Sequence, residues 1–186
     1  MVVGLLTVAA ILAGCSSDDS ASPSTGAKDH RPCGLLTASE IGAALSTTVD
    51  AGTQGNGSKS ELGSGPTCTW KATKGDGAGR PALALAVYEW KDVPDAAKRP
   101  DKVDLGDASS YIRWFCRKLA DTAGGRGPEA ENVLLSFRGS PGCSSGNSTL
   151  VSVPSTLVVI QVPTDPPTLT ERRASQRLAD TVQRRL

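Results

Sequence analysis

The sequence predicts an α+β fold, with an antiparallel sheet, N-terminal and C-terminal helices packed on one face of it, and disulfide staples. Short apolar and β-branched runs of strand length fill the middle of the chain, whereas helices with capping boxes are indicated at its two ends. A doubly wound α/β fold would alternate the two patterns. The 20 glycines and 12 prolines indicate many turns between short elements.

The first helix is predicted over Ala38–Leu45. Thr37 and Glu40 have the spacing of a capping box, and Ile41 and Ala44 then recur on one helical face. Residues 50–66 are rich in Gly and Ser and are predicted to form a long loop.

Strands are predicted next. Cys68 and Trp70 alternate with polar residues over 67–72, as in a half-buried strand. The segment 81–90 is apolar on both faces, which is typical of a central strand. Three further strands are predicted at 133–137, 149–153 and 156–162, the last two joined by a turn at Pro154 and Ser155.

Two segments between the strands are less regular. Residues 91–106 contain Pro94 and Pro100 and are predicted to be a loop with a helical turn. Residues 107–119 fit a helical stripe but contain a run, 111–115, with strand propensity, so the sequence leaves helix and strand open there.

The last helix begins after a second capping box, formed by Thr168 and Glu171. Apolar residues then recur every four positions and are predicted to face the core: Ala174, Leu178, Val182 and Leu186. The same helix carries Arg172, Arg173, Arg177, Arg184 and Arg185. These arginines could contact anionic lipid or wall polymer, but we favour a solvated helix face.

An export signal is predicted at the start of the chain. Residues 1–14 carry no charge, and their apolar run over 2–13 is too short to be a permanent membrane helix. Small residues precede Cys15, in the arrangement that a lipoprotein peptidase accepts once the thiol carries diacylglycerol. We expect cleavage before Cys15. The basic residue expected before the apolar run is absent, which leaves the start codon open.

This signal sets the predicted domain organisation and localisation. Residues 15–31 form a lipidated, flexible stalk, because they contain almost nothing apolar. Residues 32–186 form a single domain, a usual size for one core. Acyl chains on Cys15 would hold the domain on the extracytoplasmic side of the cell membrane.

Four cysteines remain for disulfides once Cys15 carries lipid: Cys33, Cys68, Cys116 and Cys143. Sequence alone allows three pairings. We favour Cys33 with Cys68 and Cys116 with Cys143, each of which closes a loop of about thirty residues. No two of these cysteines have metal-ligand spacing, so no metal site is predicted.

No motif for catalysis is intact. Residues 142–146 match G-x-S-x-G, but Gly139 and Pro141 interrupt the strand that a nucleophile elbow needs, and the only histidine, His30, lies in the stalk. Asp101, Asp104 and Asp107 lack the pattern of a calcium loop, and residues 55–60 lack the order of a phosphate loop. We predict no catalytic residue and no cofactor.

Two classes of function remain. A net charge of +1 gives no reason to expect nucleic acid as a partner. The favoured class is a non-catalytic binding module for an envelope ligand or a partner protein, and the other is an envelope enzyme or an enzyme inhibitor. Four aromatic residues could line a pocket or simply fill the core: Trp70, Tyr88, Trp90 and Trp114.

Several motifs together resemble one protein family. They are the cysteine after small residues, the Ser-rich stalk, Pro32-Cys33-Gly34-Leu35-Leu36-Thr37 with Glu40, and Cys68-Thr69-Trp70. The chain resembles an uncharacterised family of actinobacterial lipoproteins, a domain of unknown function, over most of residues 32–186. The resemblance implies that Cys33 pairs with Cys68 and that the domain is similar to small α+β sandwiches of other envelope lipoproteins. It implies no catalytic residues and does not extend to the second cysteine pair.

Overall fold

The structure is a computed structural model that describes residues 31–57, 60–122, 135–137, 140–164 and 167–186. The predicted signal, the lipidation site Cys15 and His30 lie outside the described residues, as do residues 133 and 134 of one predicted strand. Among the described residues, no helix is both long and apolar enough to cross a bilayer.

One antiparallel sheet of seven strands organises the described chain. The strands are β1 (Thr53–Asn56), β2 (Pro66–Lys71), β3 (Pro81–Glu89), β4 (Leu135–Phe137), β5 (Ser140–Ser145), β6 (Ser148–Val153) and β7 (Thr156–Gln161). Their spatial order is β1-β2-β3-β7-β6-β5-β4, so β3 and β7 join the two halves of the sheet. The predicted α+β class with an antiparallel sheet is confirmed.

The terminal helices cover one face of the sheet. They are α1 (Pro32–Leu35), α2 (Ala38–Leu45) and α5 (Leu169–Arg185), and they pack on Trp70, Leu85 and Ile160 from the strands. Both predicted capping boxes are present. The C-terminal stripe is buried, as predicted, and its members are Ala174, Leu178, Val182 and Leu186.

The segment that the sequence left open, 107–119, forms a helix from its second residue onward, α4 (Ala108–Thr122). Asp107 starts it, since its carboxylate accepts a hydrogen bond from the Ser110 backbone N–H at 2.6 Å. Ile112 and Cys116 are fully buried against β5, β6 and β7. Helix α4 lies on the face opposite the terminal helices, a second helical layer that the prediction lacked.

Both favoured disulfides are present. Cys33 of α1 is bonded to Cys68 of β2, and Cys116 of α4 is bonded to Cys143 of β5. The side chains of Cys68 and Cys143 point to opposite faces of the sheet, because the two residues belong to different core clusters. Each disulfide therefore fastens a helix to its own face.

Two strand predictions need correction. The loop predicted over 50–66 contains the edge strand β1, whose residues are all exposed, so no apolar alternation marked it. Strand β5 was missed because Gly and Pro interrupt its sequence, and it pairs with β6 through four residues. The irregular segment 91–106 does contain short helical turns, including α3 (Asp95–Lys98), as predicted.

Candidate functional site

A groove lies on the face of the sheet that carries α4. Helix α4 packs on β5, β6 and β7, and within the described ranges no helix covers the same face of β2 and β3. The space left beside α4 has a volume of about 660 Å³, which is within the range of small-molecule sites, roughly 300–1,000 Å³. Its lining comes from β2, β3, β5, β6, β7, α4, the end of β1 and residues after β1.

The depth of the groove follows from small side chains on a central strand. Ala84 and Ala86 of β3 point into the groove and are partly exposed, whereas Leu83, Leu85 and Val87 alternate with them and are buried under the terminal helices. Larger side chains at the two alanines would fill the space beside α4. The alternation of small and large residues along β3 therefore determines the depth of the groove floor.

The strand register arranges the floor in two neighbouring rows across the sheet. One row is polar apart from an alanine and consists of Thr69, Ala84, Gln161, Ser148 and Ser145. The next row is mainly apolar and consists of Thr67, Ala86, Val159 and Leu150. The floor therefore changes from hydrogen-bonding to apolar between positions two residues apart along each strand.

Aromatic rings form the wall and one end of the groove. Tyr111 and Phe115 of α4 stack with their ring centroids 5.9 Å apart and an interplanar angle of 14°. The side chain of Tyr88 lies one step beyond Ala86 on β3, and its hydroxyl oxygen is 3.4 Å from the Ser60 hydroxyl. These rings give the groove flat apolar surface next to the polar row.

Several polar groups of the groove are available to a ligand. The hydroxyls of Thr67 and Thr69 and the carboxylate of Glu61 line the groove, and none of them makes a hydrogen bond to another residue that the structure describes. Gln161 donates to the Ser148 hydroxyl at 3.2 Å, and that hydroxyl donates to the Asn147 side chain at 3.2 Å. A bound molecule can thus form hydrogen bonds with these hydroxyls and with the side chains that already bond to one another.

The described lining of the groove carries little charge. Glu61 is the one Asp, Glu, Lys or Arg among the lining residues that the structure describes. Burial raises the pKa of Tyr111, and the nearby Glu61 carboxylate raises this pKa further. At neutral pH the Tyr111 hydroxyl is protonated and can donate a hydrogen bond.

The four aromatic residues singled out from the sequence do not share a pocket. Trp70 is fully buried on the opposite face, and Trp90 is mostly buried, with its ring N–H donating to the Gly106 carbonyl at 3.1 Å. Trp114 is half-buried against the Tyr111 ring and the Lys118 ammonium. Only Tyr88 lines the groove. The hypothesis of a pocket among all four is wrong, because strand alternation and the helix separate them.

The other motifs take structural roles. Residues 142–146 lie in the β5–β6 hairpin, where Cys143 is in a disulfide and the Ser144 hydroxyl bonds to that of Thr149 at 2.9 Å. Of the three aspartates, Asp101 pairs with Lys118, Asp104 with Arg99, and Asp107 caps α4. Within the described part of the chain, no group of three or more His, Cys, Asp or Glu residues could hold a metal ion.

The arginines of α5 are partly used inside the fold. Arg185 donates to the Leu35 carbonyl at 2.7 Å and to the Glu40 carboxylate at 2.6 Å. Arg177 donates to the Ala44 carbonyl at 3.1 Å. These two side chains connect α5 to α1 and α2. The solvated face predicted for α5 therefore has fewer arginines than the sequence analysis assigned to it.

The sequence did not predict the main groove residues, for two reasons. Tyr111 and Phe115 lie in the segment left open between helix and strand, so their face was not assigned. The sequence pattern placed Ala84 and Ala86 on the second apolar face of a central strand, which predicts burial. The position of α4 leaves their side chains partly exposed. Comparison of the chain with protein-family models, with curated proteins and with solved structures finds no match.

Proposed function

We propose that this chain is a lipid-anchored lipoprotein of the cell envelope whose domain is a non-catalytic binding module. The observation that carries the binding role is the groove, a concave site with aromatic, apolar and hydrogen-bonding surfaces beside one another. In this proposal the lipid on Cys15 tethers the domain through residues 15–31, and the groove holds a ligand of the envelope.

The lining favours binding over catalysis. An enzyme site usually brings together titratable groups that act as acid, base or nucleophile. Among the described lining residues, Glu61 and the two tyrosines are the titratable groups, and Glu61 is exposed. The hydroxyls and amides that make up the rest of the polar surface orient a ligand by hydrogen bonds.

The disulfides support an extracytoplasmic location. Structural disulfides persist in oxidising compartments and are rare where thiols are kept reduced. Two are present, and each fastens a helix to the sheet. The sequence pattern around Cys15 supplies the route of export and the anchor.

Intact mass spectrometry of the membrane-extracted protein tests this proposal, with and without reduction and thiol alkylation. We expect an acylated N-terminus at Cys15 and no alkylation before reduction. The Cys15→Ser variant is the matched control, and it should lose the acyl mass and leave the other cysteines disulfide-bonded. Unmodified Cys15 in the membrane-extracted protein, or alkylation of the domain cysteines before reduction, would contradict the proposal.

A further inference from the structure

The groove has a lining that selects one class of ligand. We infer that it binds a neutral oligosaccharide, with a sugar ring placed between the polar row of the floor and the aromatic wall. This inference rests on the proposed binding function and names the ligand class of the same site.

Charge is the first reason. A phosphate, sulfate or carboxylate ligand would need a Lys, an Arg or a cluster of backbone N–H groups facing it. No Lys or Arg occurs among the described lining residues, and the Glu61 carboxylate repels an anion. The described lining therefore offers an anion no cationic side chain, and its one charged group has the same sign as the anion.

Hydroxyl and amide groups are the second reason. Thr69, Gln161, Ser148 and Ser145 form a line of donors and acceptors across four strands. An acyl chain or another wholly apolar ligand would remove water from these groups without replacing its hydrogen bonds, which costs free energy. A sugar carries hydroxyls around its edge and can replace that water.

The apolar row and the aromatic wall are the third reason. A sugar ring also has an apolar face of C–H groups, which packs on flat aromatic and aliphatic surface. The partly exposed Phe115 ring and the side chains of Ala86 and Val159 supply such surface beside the polar row, and the mostly buried Tyr111 ring stacks with Phe115. The two kinds of surface are next to each other in the groove, as they are in a sugar.

Glu61 completes the site without making it a glycosidase. A carboxylate accepts strong hydrogen bonds and can take two from neighbouring sugar hydroxyls. Hydrolysis of a glycosidic bond commonly needs two carboxyl groups on either side of that bond. The described lining has Glu61 as its one carboxylate, so we expect the sugar to be bound and released unchanged.

Calorimetric titration of the full membrane-extracted chain, in a detergent without a sugar head group, tests the inference with four probes. N,N′-diacetylchitobiose and cellobiose are neutral disaccharides, a heparin disaccharide is an anionic one, and n-hexanol is a neutral apolar chain. We expect saturable binding of at least one neutral disaccharide and weaker or no binding of the other two probes.

A double variant then locates the binding. Replacing Thr67→Val and Thr69→Val keeps the branched shape on the strand but removes two hydroxyls, so the affinity for the disaccharide should fall by about tenfold. Thr73→Val is the matched control, because Thr73 lies outside the groove lining, and it should leave the affinity unchanged. If the double variant does not unfold cooperatively, Glu61→Gln at an exposed position replaces it and should also weaken binding.

Three results would overturn the glycan inference. They are binding of n-hexanol but of neither disaccharide, tighter binding of the heparin disaccharide, and binding that the groove variants leave unchanged. The first two leave a binding module in place with another ligand class. The mass of the N-terminus is measured separately, so failure of the lipid anchor is distinguishable from failure of the glycan site.

Discussion

Two residues of the groove, Tyr111 and Glu61, are linked by the effect of the Glu61 charge on the pKa of Tyr111. Tyr111 is 6% exposed, whereas Glu61 is an exposed lining residue whose negative charge acts on the Tyr111 hydroxyl through space. Both burial and the negative carboxylate disfavour the phenolate, so the pKa of Tyr111 is raised for two reasons of the same sign. The effect of the carboxylate can be removed by neutralising Glu61, which is exposed, without changing a buried residue.

Removing the Glu61 charge should lower the pKa of Tyr111. The chain has two tyrosines, so the Tyr88→Phe background leaves Tyr111 as the one phenol that titrates. In that background, Glu61→Gln should shift the alkaline absorbance titration to lower pH, and the difference from the parent should shrink as salt is added. An unchanged titration would mean that the Glu61 carboxylate does not face the Tyr111 hydroxyl.

Helix capping is the element-scale feature whose sequence prediction and structure agree in detail. In the second capping box the Glu171 carboxylate accepts from the Thr168 N–H at 2.8 Å and from the Thr164 hydroxyl at 2.7 Å. Burial opposes ionisation of Glu171, but the hydrogen bonds from Thr164 and Thr168 outweigh it, and its pKa is lowered. A lowered pKa in the folded state links the ionised carboxylate to stability.

This linkage predicts how Glu171→Gln depends on pH. Because the folded pKa lies below the usual glutamate value of 4.5, the stabilisation is complete above that value and is lost as pH falls through the folded pKa. The variant should therefore be less stable than the parent at neutral pH and equal to it in strong acid. Urea unfolding of both proteins at several pH values measures the difference. A difference that is constant with pH would contradict the role of the charge.

The two disulfides are predicted to contribute similarly to stability and differently to binding. They are 35 and 27 residues apart in sequence, so the chain-entropy treatment gives about 3 to 4 kcal/mol for each. Removing the Cys116–Cys143 pair by Ala substitution should also loosen α4, which forms the groove wall, and weaken groove binding. Removing the Cys33–Cys68 pair, on the opposite face, is the matched control.

Urea unfolding under non-reducing conditions measures the first effect, and titration with the neutral disaccharide measures the second. Equal loss of binding in both double variants would contradict the assignment of the groove to the α4 face. Loss of stability in only one of them would contradict the similar loop contributions.

At the scale of the whole molecule, the sequence predicted the layer of terminal helices and the central strands better than it predicted the site. Capping boxes and apolar periodicity are local signals, and they indicated α2, α5, β3 and β7 directly. The groove is a non-local feature. It exists because α4, whose secondary structure the sequence left open, packs beside the alanines of β3 and leaves them partly exposed.

The same reason explains the wrong aromatic hypothesis. Trp70 and Tyr88 are both large aromatic residues on neighbouring strands, but strand register sends Trp70 into the layer under the terminal helices and Tyr88 to the groove. Composition cannot distinguish the two positions, whereas register can. The alternation within each of these two strands is visible in the sequence, but the pairing of β2 with β3 is not, so the pocket could not be assigned from sequence.

Methyl NMR tests the central claim, that the groove beside α4 is the binding site. In the chain carrying ¹³C-methyl alanine, titration with N,N′-diacetylchitobiose should shift the methyl signals of Ala84 and Ala86 in the groove floor. The methyl signals of Ala44 and Ala174, buried on the opposite face, should not move. Shifts confined to other alanines, or none at the floor at saturating disaccharide, would contradict the account.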